Sequence, residues 1–271
     1  PFDEAYDIFK EQVVAGVEAG ADLILFETFT DIYEIKAGIL AAKENCDLPI
    51  FCSVTFQEDG RMLMGTDPLT AVNILQDLGI DALGLNCSLG PKQMADIARE
   101  ILEYSKLPVL VQPNAGLPAI VDGETVYHVD IEEYVEAMQE LLQAGIAIAG
   151  GCCGTSPDYI AALAESIRDR DYPALSADAG RHRGGKAMTA VSSSTKTVIL
   201  DDRVRIIGER INPTGKKLLK EALKAKDLSY IENEAIDQVK AGAEILDINV
   251  GLPDIDEYDM MLKAVRKVSA V

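Results

Sequence analysis

One phrase recurs along this chain: a helical stretch ends at glycine, an apolar run follows, and a polar or reactive residue closes the run. It occurs at Ala19-Gly20 before Asp22 to Glu27, at Leu78-Gly79 before Ala82 to Cys87, at Ala144-Gly145 before Ile146 to Cys153, and at Ala241-Gly242 before Glu244 to Asn249. Glycine just past a helix accepts the left-handed conformation that closes it. Continuous apolar runs suit strands buried on both faces of a parallel sheet. Pro49 to Phe56 and Pro108 to Gln112 fit as two further strands. Helices are predicted over about 3–19, 31–45, 68–79, 91–105, 131–144 and 157–170, each with apolar residues at three-and-four spacing. Asp67-Pro68 and Ser156-Pro157 place a capping side chain before a first-turn proline, and Asp130 with Glu133 resembles a capping box. Alternating βα units of this kind predict an α/β fold, either a (β/α)8 barrel of the TIM type or an open doubly wound sheet. The barrel is favoured, because reactive residues end several different strands, as they do at the C-terminal mouth of such barrels.

From 171 to 196 the texture changes to small, basic and serine-rich stretches, including Arg181-His182-Arg183 and Ser192-Ser193-Ser194-Thr195, which reads as an interdomain linker. A second βα series then begins with Thr197 to Leu200 and Arg205 to Pro213, followed by a helix at 228–241, a strand at 244–250 and a helix from about 255. Five strands precede the linker and about two follow it, whereas a closed barrel of this class uses eight in about 250 residues. The expected organisation is therefore a partial barrel over 1–170, a linker over 171–196 and the start of a second barrel over 197–271. One barrel with a long insertion is the alternative. The chain opens with Pro1 inside a helix, which is how a segment of a longer protein would read. Unpaired edges of a partial barrel invite self-association.

Five cysteines, Cys46, Cys52, Cys87, Cys152 and Cys153, are too few and scattered for a disulfide scaffold. In a reducing compartment such residues point to metal or catalytic use. Cys46 and Cys52 read as ordinary buried or half-buried residues. The vicinal pair Cys152-Cys153 lies between glycines, in Gly150-Gly151-Cys152-Cys153-Gly154-Thr155. Consecutive side chains on a strand point to opposite faces, so both thiols reach one centre only if the backbone bends there, and glycine permits the bend. With Cys87 at another strand end, three thiolates would leave the fourth position of a tetrahedral zinc open for substrate. A chain with 25 basic and 45 acidic residues, net charge −20 and no basic stripe argues against a nucleic-acid partner. No apolar stretch approaches the roughly 20 residues of a membrane span. Without a recognisable leader the expected location is cytoplasmic.

With these pieces in place the sequence resembles the cobalamin-dependent methionine synthases, at the end of their homocysteine-binding barrel and the start of their methyltetrahydrofolate-binding barrel. The resemblance is carried by Phe26-Glu27-Thr28-Phe29, Gly65-Thr66-Asp67-Pro68, Gly84 to Pro91, Gln112 to Gly116, Gly150 to Thr155 and Gly208 to Gly215. The first five are shared by homocysteine S-methyltransferases generally; the last points to the folate-using enzymes. The resemblance implies Cys87, Cys152 and Cys153 as zinc ligands, Glu27 as partner of the homocysteine amino group, and Asn114 as a residue that approaches zinc when substrate is absent. It also implies Glu209, Asn212, Asp247 and Asn249 near the pterin. Zinc, methylcobalamin carried by a domain outside this chain, and 5-methyltetrahydrofolate as methyl donor are the implied cofactors. Segments matching the first strands of the homocysteine barrel and most of the folate barrel are missing, so this segment is expected to lack full turnover by itself.

Other readings stand beside these. The cysteines fit small buried residues or a redox pair of a non-catalytic binding module. Glu27 fits a structural carboxylate, Asn114 a turn residue in Pro-Asn-Ala-Gly, and the four residues of the second series caps or turns. His128 and His182 fall in a predicted hairpin and the linker, and neither reads as a ligand. A cobalamin-independent homocysteine S-methyltransferase using betaine or S-methylmethionine is the remaining enzymatic alternative.

Overall fold

The structure is a computed structural model that describes residues 2–168, 170, 172 and 188–271. Most of the expected linker, Arg181 to Arg183 included, lies outside the described residues. The chain divides into two compact units, Pro1–Ala187 with Ser194–Thr197, and Met188–Ser193 with Val198–Val271.

In the first unit the elements run α1 (Phe2–Glu18), β1 (Ile24–Phe29), α2 (Ile32–Asn45), β2 (Ile50–Val54), α3 (Pro68–Asp77), β3 (Ala82–Asn86), α4 (Pro91–Tyr104), β4 (Val109–Gln112), β5 (Ala119–Val121), β6 (Glu124–Val126), α5 (Ile131–Ala144), β7 (Ile148–Ala149) and α6 (Pro157–Ile167). Strands β1, β2, β3, β4 and β7 form one sheet in that order, every pair parallel. The apolar runs explain this layout. All five residues of β3 are buried, as are four of five in β2, so these strands are covered on both faces. Ile35, Ile39, Leu83, Leu85, Met94 and Met138 lie in the core between sheet and helices, each side chain contributing about 1.5–3 kcal/mol by leaving water. Strand β1, at one end of the sheet, is mostly exposed or half-exposed, Leu25 included. The described strands form a five-stranded parallel sheet that does not close on itself, with the number of strands expected of the partial barrel read from sequence.

Helix boundaries follow the capping residues. Asp67, Asp130 and Ser156 each accept a backbone N–H of the helix they precede, with prolines at the starts of α3 and α6. Gly145 closes α5 in the left-handed conformation, φ 115°. One strand is shorter than expected. The run Ile146 to Cys153 pairs only over Ile148–Ala149, because the facing chain reaches Pro113, which has no N–H to continue the ladder.

The second unit contains β8 (Ala190–Ser192), all but the first residue of β9 (Thr197–Ile199), β10 (Ile207–Ile211), α7 (Lys217–Ala225), α8 (Leu228–Lys240), β11 (Ile245–Ile248) and α9 (Glu257–Val268). Strands β10 and β11 pair in parallel, and Ile211, Leu219, Leu223, Ile231, Val250 and Met260 bury a core of their own. Two elements escaped the sequence reading. Strand β8 lies in the serine-rich stretch taken as linker, and α7 lacks a side-chain cap at its start.

Candidate metal centre

The segment after β4 gathers the cysteines. Cys87 N–H donates to Gln112 O at 3.1 Å, and Asn114 N–H to Leu89 O at 2.9 Å, which ties the tip of β3 to one side of residues 112–114. On the other side Cys152 N–H donates to Pro113 O and Ala115 N–H to Cys153 O, both at 2.9 Å. The chain after β4 is thus clasped between the tips of β3 and β7. Tyr134, fully buried on α5, pins the same place by donating its hydroxyl to Gly150 O at 2.7 Å.

Local backbone conformation completes the convergence. Cys87 and Ser88 are both left-handed, φ 62° and 65°, a conformation that costs on the order of 1–3 kcal/mol per non-glycine residue. Gly154 turns the chain with φ 79°, and a Cβ there would come within 2.4 Å of the Tyr127 ring. The outcome is Cys87 Sγ 3.7 Å from Cys153 Sγ, and Cys153 Sγ 4.0 Å from Cys152 Sγ. All three sulfurs lie within 4.8 Å of one another and could hold a metal ion. Cys87 and Cys152 are half-buried and Cys153 is exposed, so one side of the cluster faces solvent.

Burial pushes the Cys152 thiol up from 9.0 to about 12, the neighbouring sulfurs of Cys87 and Cys153 adding to the shift and Asn86 opposing it. The Tyr127 hydroxyl is raised by burial and by its hydrogen bond and charge interaction with Cys153. Three thiols this close resist becoming three thiolates without a cation to offset their charge.

Asn114 is brought to this centre: it is buried, and its side-chain oxygen accepts the Cys153 N–H at 3.0 Å. Glu27 sits exposed on β1, where the register of the strand shifts, and lines an open cavity with Phe9, Gln12 and Val13. Its neighbour Thr28 carries φ 67° and bonds to Asn86. In the second unit, Asn212 donates to Glu209 at 2.6 Å and accepts the Thr214 N–H. Asn249 donates its N–H to Ile211 O and accepts from Gly251 N–H, placing it beside the end of β10. Asp247 is exposed on β11. Both asparagines thus perform turn chemistry.

Sequence reasoning missed Asn86, Ser53, Thr28 and Tyr134 around the cysteines. Asn86 carried a signal, since a polar residue closing a fully apolar buried strand must find hydrogen-bond partners.

Fold and site together define an α/β protein with a three-cysteine group at the C-terminal tips of parallel strands. Residues 1–167 match the family model described as homocysteine S-methyltransferase, and the chain belongs to that family. Over 255 residues, 90% of this chain, it is 33% identical to a methionine synthase of Mycobacterium leprae, and over 252 residues 32% identical to one of Mycobacterium tuberculosis. It spans about a fifth of the length of these relatives, 21% and 20%. The fold is similar to that of the homocysteine methyltransferase MmuM from Escherichia coli in its apo form, with TM-score 0.52, 24% identity, and coverage of 61% of this chain and 57% of that one. Among the described residues no helix is long and apolar enough to cross a membrane.

Proposed function

We propose that this chain is the zinc-binding part of a methionine synthase, in which Cys87, Cys152 and Cys153 hold zinc and a homocysteine thiolate takes the fourth position. One observation carries the reading. Tetrahedral zinc with Zn–S bonds of about 2.3 Å sets neighbouring sulfurs ~3.8 Å apart, and two sulfur pairs here stand at 3.7 and 4.0 Å. The donor set fits as well, since soft thiolates select zinc over hard cations. When bound, zinc supplies a Lewis-acid site that keeps the substrate sulfur deprotonated at neutral pH.

The chain's own residues do the rest. Three cysteinates neutralise the cation and leave the site formally anionic, so the substrate sulfur retains its nucleophilicity. Asn114 braces the Cys153 backbone by accepting its N–H. Glu27 accepts the substrate ammonium group, and the strand tips complete the mouth of a TIM-type barrel in the full protein. Glu209 and Asp247 within two adjacent parallel strands, and Asn212 and Asn249 just after them, offer carboxylate and amide groups suited to the donors and acceptors of a pterin ring. In this reading methylcobalamin, on another domain, is the immediate methyl donor and methyltetrahydrofolate replenishes it.

Zinc content of chain purified without chelator is the test. One zinc per chain, lost in Cys152→Ala, is expected. Equal zinc in both proteins, or none in the wild type, overturns the reading. Methyl transfer to homocysteine from betaine or S-methylmethionine without cobalamin, measured in the full protein, would reassign the donor while leaving the zinc site in place.

A further inference from the structure

We infer that Asn86 is a positioning residue that locks the sulfur of Cys152 and the substrate-facing tip of β1 into one frame through a single buried amide. The inference rests on the metal reading above and deepens it. Asn86 ends β3 with no exposure at all. Its Oδ1 accepts from Thr28 N–H at 2.8 Å and from the Ser53 hydroxyl at 2.7 Å. Its Nδ2 donates to Thr28 Oγ1 at 2.7 Å and to Cys152 Sγ at 3.8 Å. An asparagine amide has two donors and one oxygen with two lone pairs, and all four positions are engaged. The orientation is fixed by the network, because flipping the amide would set its NH2 against the Thr28 N–H.

Two consequences follow from this hub. First, an N–H pointing at Cys152 holds the direction of its sulfur, as hydrogen-bond partners of metal ligands commonly do. Second, Thr28 is a β-branched residue in the left-handed region, φ 67°, a conformation that persists only where surrounding contacts impose it. Two of those contacts come from Asn86. The direction in which the neighbouring Glu27 leaves the strand is therefore set by the same amide that touches a metal ligand. The third tie runs through Ser53 on β2, and Thr55 adds a hydroxyl bond to the Asn86 carbonyl at 3.0 Å. Three adjacent strand tips are thus fastened by one side chain.

Asn86→Asp tests this with little change of shape. The carboxylate still accepts from Thr28 and Ser53 but has no proton to donate to Cys152. In cobalt(II)-loaded chain, the sulfur-to-cobalt charge-transfer band should move to lower energy, and chelator competition should show metal affinity falling about 10–100-fold. An unchanged band and affinity in a folded Asn86→Asp variant overturns the inference. Should the variant fail to fold, cadmium-113 NMR of the wild type decides: a scalar coupling between the Asn86 side-chain amide proton and the metal, carried through the Cys152 sulfur, is expected, and its absence overturns the inference. Wild-type chain with no sulfur-to-cobalt band at all overturns the underlying metal reading instead, and this inference with it.

Discussion

Cys87 and Cys153, separated by 66 residues, bring their sulfurs within 3.7 Å of each other on opposite flanks of β4. Neither residue could reach the other from a straight strand. Cys87 leaves β3 in a left-handed conformation, and Cys153 is followed by the left-handed Gly154. The backbone is bent at both places, and the bends converge on one side of the sheet.

Close approach of β3 and β4 underlies that convergence. A Cβ on Gly84 would lie 1.7 Å from Leu110 O in the neighbouring strand. Gly84→Ala should destabilise the chain by about 3 kcal/mol or more, since a backbone clash cannot be relieved by turning a side chain. Urea unfolding measures the loss, and a change below about 1 kcal/mol would show that the strands can part without harm.

Tyr134 supports the cysteine turn from beneath. Tyr134→Phe keeps the packing against Tyr159, whose ring centroid is 5.4 Å away, but strands Gly150 O without its donor. A loss of about 1 kcal/mol is expected in urea unfolding. No loss would mean that another donor reaches that carbonyl.

Much of this architecture was legible before the structure. Five parallel strands follow the five apolar runs ahead of the linker, and the cap residues Asp67, Asp130 and Ser156 start helices where expected. Apolar burial and side-chain capping are local signals, written in adjacent residues. The three cysteines could be grouped because each closes a run. What escaped was long-range or weakly marked. Asn86 joins Thr28, 58 residues away, to Cys152, 66 residues away, and no spacing rule encodes that. Helix α7 is lysine-rich and uncapped, so its buried Leu219, Ala222 and Leu223 were easily overlooked. Barrel closure depends on strand pairings at the sheet ends, and the described strands stop at β1 and β7.

Metal-free chain should lose stability at alkaline pH. Burial raises the Cys152 thiol from 9.0 to about 12 and raises Cys52 as well. Folded chain therefore keeps these protons while unfolded thiols release theirs near about 8.5. The stabilising contribution is fully present below that pH and disappears as pH climbs toward about 12. Urea midpoints at about pH 7 and pH 10 check the sign, and a midpoint that rises with pH would contradict it.

Metal affinity should run the other way. Cys152 is protonated at neutral pH and must release its proton to bind, so affinity rises at least tenfold per pH unit between about pH 6 and 8. Chelator competition across that range gives the slope. A flat profile would exclude Cys152 as a ligand.

Zinc K-edge X-ray absorption of the purified chain tests the central claim most directly. Three sulfur scatterers at about 2.3 Å with one lighter neighbour are predicted. Zinc held by fewer than three sulfurs, or surrounded by oxygen and nitrogen alone, would contradict the account.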